Sequence, residues 1–157
     1  MRIVVISDSH RNLRVIEKIL YAQPTACEVF FLGDLAGDME DYEYIFPDKR
    51  FHILSGNCDY FSTFPSSGIE TVGGKKIFYT HGHTLGVKSS VSHLLNTAKA
   101  QGCHIALFGH THIPLTLYED GVWLVNPGSC SSPREGRPTY AVIDIENNGI
   151  MPIIIEV

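Results

Sequence analysis

The chain has 157 residues, a formal net charge of −5, 44% apolar residues and 18% charged residues. That length suits one globular domain, 1–157, with a real hydrophobic core, and the acidic balance argues against a broad basic surface for duplex DNA. No apolar run reaches the roughly 18–20 residues of a membrane span, and the opening MRIVVISDSH does not read as a signal peptide.

Residues 2–7, RIVVIS, form a β-branched run that predicts a buried strand, ending at Asp8-Ser9-His10. Residues 11–22 carry Leu13, Ile16, Ile19 and Leu20 at helical spacing, and Pro24 stops that helix. Residues 28–32, EVFFL, predict a second strand ending at Gly33-Asp34. A short helix is expected over 39–46, then a third strand over 50–54 ending at Gly56-Asn57. Strand–helix–strand–helix–strand predicts a parallel sheet with crossovers.

The second half reads differently. Residues 69–80 predict two strands joined at Gly73-Gly74, the second ending at His81-Gly82-His83. A helix is expected over 87–100 and a strand over 104–108, ending at Gly109-His110-Thr111-His112. Two more hairpins follow, one turning at Asp120-Gly121 and one at Asn148-Gly149. The whole predicts an α/β protein with two mixed sheets packed together and helices outside.

Five of these strands end in polar words, and layered α/β folds bind ligands at the carboxyl ends of their strands. Asp8 and His10 are two apart, as are His110 and His112. In an extended backbone such pairs point the same way and converge on one ion. Asp8, His10, Asp34, Asn57, His81, His110 and His112 mix carboxylates, imidazoles and an amide, a set suited to borderline divalent metals. They exceed what a single catalytic zinc takes, and suit two ions sharing a carboxylate, as in phosphoryl displacement. The four cysteines, Cys27, Cys58, Cys103 and Cys130, show no C-x-x-C pair, so a disulfide framework or thiolate zinc knot is not expected and reduced thiols in the cytoplasm are.

D-x-H, G-D, G-N, H-G-H and G-H-T-H, in that order and each at a strand end, resemble the calcineurin-like metallophosphoesterase superfamily, in particular its small bacterial and archaeal phosphodiesterases. The resemblance extends over nearly the whole chain and implies a four-layer α/β/β/α sandwich. It implies that Asp8, His10 and His112 hold one divalent metal, that Asn57, His81 and His110 hold another, and that Asp34 bridges them. Mn²⁺ leads Ni²⁺, Co²⁺, Fe²⁺ and Zn²⁺ as the expected cofactor, with a hydroxide between the metals attacking phosphorus. Asp34, Asn57, His81 and His83 are the implied catalytic group, acting on a small phosphodiester. Two alternatives come with the family: a protein-binding scaffold like the retromer-coat subunit, and a small nuclease, which length and charge disfavour. The oligomeric state is open, a homodimer included.

Other residues divide. His83 either contacts substrate, orients a ligand or only lines the cleft. His52, inside a strand, and His104, starting one, read as structural, and His93 as a surface residue. Asn126-Pro127-Gly128-Ser129 reads as a supporting loop beside the cleft. Arg134 and Arg137 read as solvated before they read as a phosphate clamp. Cys58 stands where the superfamily often has His in a Gly-Asn-His word. A thiol is a weak donor without positive charge, so Cys58 is expected to limit the chemistry rather than perform it.

Overall fold

Alternation along β1 (Arg2–Ile6) divides the interior in two. In the computed structural model, which describes every residue except Glu40 and Asn148, Ile3 and Val5 enter one buried cluster and Val4 and Ile6 another. The same period of two splits β2 (Glu28–Phe31), with Phe30 on one side and Val29 and Phe31 on the other. β3 (Arg50–Ile53) completes a parallel trio with β1 and β2. β9 (Thr139–Glu146) and β10 (Gly149–Glu156) add two antiparallel strands, giving the order β10-β9-β1-β2-β3.

The second sheet runs β4-β5-β6-β8-β7. Its members are β4 (Ser67–Val72), β5 (Lys75–Thr80), β6 (Ile105–Leu107), β7 (Pro114–Glu119) and β8 (Val122–Pro127). Ile77, Tyr79, Ile105, Leu107 and Val125 face Ile3, Val5 and Phe30 across the gap between sheets. Phe78, Ala106, Val122 and Leu124 point the other way.

Helices seal the outer faces. α1 (Leu13–Ala22) buries Ile16, Ile19 and Leu20 against Val4, Ile6, Val29 and Phe31. Its N-terminus is capped by Asn12, whose side chain accepts from Val15 N. α3 (Ser92–Ala100) buries Leu94, Leu95 and Ala98 on the second sheet. Three apolar layers between four structural ones make the α/β/β/α sandwich, with both sheets mixed.

Two local expectations need correction. The helix expected over 87–100 begins only at Ser92, because Ser90 Oγ accepts from Ser92 N (3.1 Å) and ends a run of turns that follows Gly86. The helix expected over 39–46 shrinks to α2 (Tyr42–Ile45), since Pro47 forces Phe46 out of helical backbone (φ −124, ψ 70). A 3-10 turn at Ala36–Met39, which no sequence signal suggested, precedes it. The hairpin turns at Gly73-Gly74 and Asp120-Gly121 form with positive φ at all four residues. The turn expected at Asn148 lies outside the described residues, although β9 and β10 pair from Glu146 and Gly149 onward.

Candidate metal centre

The polar strand ends meet on one edge of the sandwich, but not through extended backbone. Asp8, His10, Asp34, His110 and His112 all have left-handed φ, of 55, 45, 62, 67 and 59 degrees. Each such non-glycine residue costs on the order of 1–3 kcal/mol, and such residues gather at functional sites. The side chains therefore converge because each chain segment turns sharply after its strand, which corrects the extended-pair reasoning above.

Asp8, His10, Asp34 and His112 offer ligand atoms that all lie within 4.8 Å of one another. Asp8 is fully buried. Its Oδ2 accepts from Ser7 Oγ (2.6 Å) and His110 N (3.2 Å), whereas Oδ1 has no hydrogen-bond partner. His112 donates from Nδ1 to Ser132 O (2.7 Å), which leaves Nε2 as the nitrogen that can ligate. That Nε2 lies 3.2 Å from Asp8 Oδ1 and 3.4 Å from His10 Nε2. At 3.2 Å a proton on Nε2, or a metal cation in its place, joins His112 to the otherwise unpartnered Asp8 Oδ1. Protonation responds in the same sense. The Asp8 carboxylate raises the His112 pKa; burial pushes Asp8 up, but His112, His81 and Ser7 outweigh it and the net shift is downward.

A second group adjoins the first through Asp34. His81 is fully buried and donates from Nδ1 to Leu32 O (2.7 Å). With Nδ1 so engaged, Nε2 is the nitrogen left to ligate a metal, and it sits 3.0 Å from Asn57 Oδ1 and 3.5 Å from Asp34 Oδ1, the oxygens of two further expected ligands. The His110 ring is 5.0 Å from that of His81. Burial, then the charge of His81, pushes the His110 pKa down to about 4, so this imidazole stays neutral and free to ligate. His83 lies beside both, with ring centroids 5.3 Å from His81 and 6.0 Å from His110. Its buried Nδ1 has no partner, and burial, then His81, lowers its pKa. All seven expected ligands are thus brought together, Asn57 at the exposed rim.

Other residues hold this array. The Asp59 carboxylate accepts from four backbone N–H groups, those of Asp34 (3.0 Å), Leu35 (3.0 Å), Ala36 (2.9 Å) and Gly56 (2.7 Å). It also faces the first residue of the Ala36–Met39 turn, where a negative charge is favoured. Sequence reasoning overlooked Asp59, although it closes the Gly56-Asn57-Cys58-Asp59 word. Cys58 N donates to Asp34 Oδ1 (2.9 Å) and Cys58 Sγ to Oδ2 (3.4 Å). Burial, then the Asp34 charge, pushes the thiol up to about 11. Gly33 (φ 100) and Gly56 pack backbone to backbone; a Cβ on Gly33 would meet Gly56 N at 2.5 Å, and one on Gly56 would meet Asp34 N at 2.5 Å.

The Asn126–Ser129 segment supports the other side, its first two residues being the end of β8 and not the loop expected from the sequence. Ser129 Oγ donates to Asp8 O (2.8 Å) and accepts from Ser132 N (2.8 Å). Asn126 Nδ2 donates to Gly109 O and Thr111 Oγ1, both at 3.0 Å. Arg137 pairs with Glu156 (3.1 Å), away from any clamp, whereas Arg134 joins Lys88, Thr111 and Ile113 around a cleft of about 380 Å³. His52 binds Glu28 (2.7 Å) and stacks on Phe30, His104 Nδ1 accepts from Lys76 N, and His93 is exposed, as expected of structural and surface residues.

Residues 1–148 match the calcineurin-like phosphoesterase superfamily domain. The probable metallophosphoesterase YsnB of Bacillus subtilis (strain 168) is 33% identical over 150 residues, 94% of this chain and 86% of its own. Vacuolar protein sorting-associated protein 29 of Schizosaccharomyces pombe is 31% identical over 159 residues, 97% of this chain and 81% of its own. The crystal structure of a predicted phosphoesterase from Streptococcus pneumoniae TIGR4 superposes with a TM-score of 0.84 at 26% identity, covering 99% of this chain and 88% of that one. With its four-layer sandwich and its strand-end histidines and carboxylates, the chain belongs to the calcineurin-like phosphoesterase superfamily.

Proposed function

We propose that the protein is a phosphodiesterase whose centre holds two divalent cations, Asp8, His10 and His112 on one, Asn57, His81 and His110 on the other, and Asp34 on both. The observation that carries this reading is the pair of imidazoles, His81 fully buried and His112 half-buried, each tethered at Nδ1 by a carbonyl oxygen, with Nε2 turned toward other expected ligands at 3.0–3.5 Å. Carbonyl tethering of the far nitrogen is how metal-binding histidines are oriented.

When bound, such a pair supplies a water activated near neutral pH and polarises the phosphoryl oxygens. Two carboxylates against two divalent ions leave local charge near +2, so an acidic protein still draws in an anionic ester. The mixed donor set favours Mn²⁺ over harder ions. His83, neutral and beside His81 and His110, hydrogen-bonds the leaving oxygen but as a neutral imidazole has no acidic proton to give it, and the thiol of Cys58, held neutral by the adjoining carboxylate, contributes none, so the proton comes from water. Esters with good leaving groups are therefore favoured.

The likeness to a vacuolar sorting protein keeps a second reading, a scaffold on the same fold. A scaffold has no need of two tethered imidazoles. The test is hydrolysis of bis(p-nitrophenyl) phosphate by protein loaded with Mn²⁺, Ni²⁺, Co²⁺ or Zn²⁺, abolished by EDTA. Inactivity with all four ions sinks the enzyme reading.

A further inference from the structure

Beside the metal-ligand array lies a cleft of about 450 Å³ whose wall includes Arg11, Leu35, Cys58, Tyr60, Phe61 and Phe64. Two of its residues tie it to the centre: Arg11 follows the ligand candidate His10, and Cys58 touches both oxygens of Asp34. Its rim is aromatic and wet. Tyr60 is 84% exposed and Phe61 fully so, and among the described residues neither ring packs on another ring. Adjacent aromatic rings left bare at the mouth of a site are surfaces awaiting a partner.

The loop that carries them is pinned at its base. Gly56 O accepts from Asp59 N (3.3 Å), and Asp59 O from Ser62 N (3.2 Å). Ser62 Oγ accepts from Phe64 N (3.1 Å), and Ser55 bonds back to Phe64 O (3.1 Å) and Pro65 O (2.9 Å). The rings are therefore presented by an ordered frame. Arg11 lines the same cleft, in a left-handed conformation (φ 67), and no carboxylate among the described residues lies within ion-pair distance of it. A guanidinium and two aromatic rings lining one cleft offer a nucleobase both stacking surface and a cation.

We infer that this cleft binds the base of a nucleotide-type phosphodiester, with Tyr60 and Phe61 as the stacking platform and Arg11 as the cation. The inference rests on the phosphodiesterase reading for where the phosphate sits. It makes the cleft the specificity-determining part of the site: the base is held here while its phosphate lies over Asp34.

The test compares adenosine 5′-monophosphate with ribose 5-phosphate, which differ only in the base, by calorimetric binding to the Mn²⁺-loaded protein. Wild type should bind the nucleotide at least about tenfold more tightly, and Tyr60→Ala/Phe61→Ala should lose most of that preference. Both rings are exposed, so the double variant should keep its fold and Mn²⁺ content, checked by circular dichroism and metal analysis. Equal binding of the two ligands by wild type, or an unchanged preference in the double variant, overturns the inference. Hydrolysis of bis(p-nitrophenyl) phosphate is measured in parallel. A base preference lost in the double variant of an inactive protein supports the cleft and removes the phosphodiesterase reading. Activity without base preference does the reverse.

Discussion

Cys58 grips Asp34 at both carboxylate oxygens, its backbone N–H donating to Oδ1 at 2.9 Å and its thiol to Oδ2 at 3.4 Å. The thiol is therefore a prop for the carboxylate that spans the two ligand groups. Of the two contacts the amide is the stronger, since an S–H is a weak donor. Cys58→Ala keeps the amide and should lower kcat on bis(p-nitrophenyl) phosphate by less than about tenfold, whereas Cys58→His, which adds an imidazole donor, should raise turnover on esters with poor leaving groups. A drop beyond about a hundredfold in Cys58→Ala at full metal content shows the thiol acting in the chemistry. A raised thiol pKa also means that the neutral form persists well above pH 8. In metal-free protein, Cys58 should react with iodoacetamide much more slowly than exposed Cys27, and should accelerate as pH approaches about 11.

Asp59 organises the Asp34 loop from 23 to 25 residues away. Asp59→Ala leaves four backbone donors without their acceptor and should cost about 2–4 kcal/mol of stability. Urea denaturation measures the loss, and Mn²⁺ titration should show weakened binding as well. Asp59→Asn, which retains one carbonyl oxygen, should fall between. A stability change below about 0.5 kcal/mol in Asp59→Ala contradicts the role of this carboxylate as a hub.

Asp34 is shared by the two ligand groups, so its charge should matter more than that of any single ligand. Asp34→Asn should reduce kcat by at least about a hundredfold and lower the bound metal from two ions toward one. Elemental analysis of dialysed protein checks the stoichiometry, and calorimetry the thermal stabilisation that metal gives the wild type. Wild-type turnover in Asp34→Asn overturns the two-metal reading.

Metal affinity should depend on pH through His112. Its pKa is raised by Asp8, so in metal-free protein it holds a proton to higher pH than an ordinary histidine. A metal must displace that proton. Affinity should fall on acidification, rise with pH through the His112 titration, and level off above it, as far as this residue is concerned. His110, with a pKa near 4, should contribute nothing to that slope above about pH 5. Mn²⁺ titrations from pH 5.5 to 8.5, in buffers of differing ionisation enthalpy, should show proton release that His112→Ala diminishes. Flat affinity across that range contradicts the assignment.

Much of the architecture was legible because it is written in local periods. Alternation in RIVVI sends Ile3 and Val5 to one layer and Val4 and Ile6 to the other, and Gly73-Gly74 and Asp120-Gly121 supply the positive φ that tight hairpins require. The polar words at strand ends singled out seven side chains that the fold then gathers on one edge. The failures were also local in form: Ser90 and Pro47 trimmed two helices that apolar spacing alone had extended.

Sequence by itself thus determined the layers and the residue types available at the strand ends, since neighbouring residues set strand, helix and turn preferences. Tertiary structure decided what those residues became. Left-handed backbone at Asp8, His10, Asp34, His110 and His112 aims the ligand candidates, and only surrounding contacts hold non-glycine residues there. The partners of Asp59 are supplied by another strand's loop, Ser129 reaches the Asp8 carbonyl across 121 residues, and the Cys58 thiol is silenced by a carboxylate 24 residues away. Those relations depend on distances through space, which local pattern does not encode.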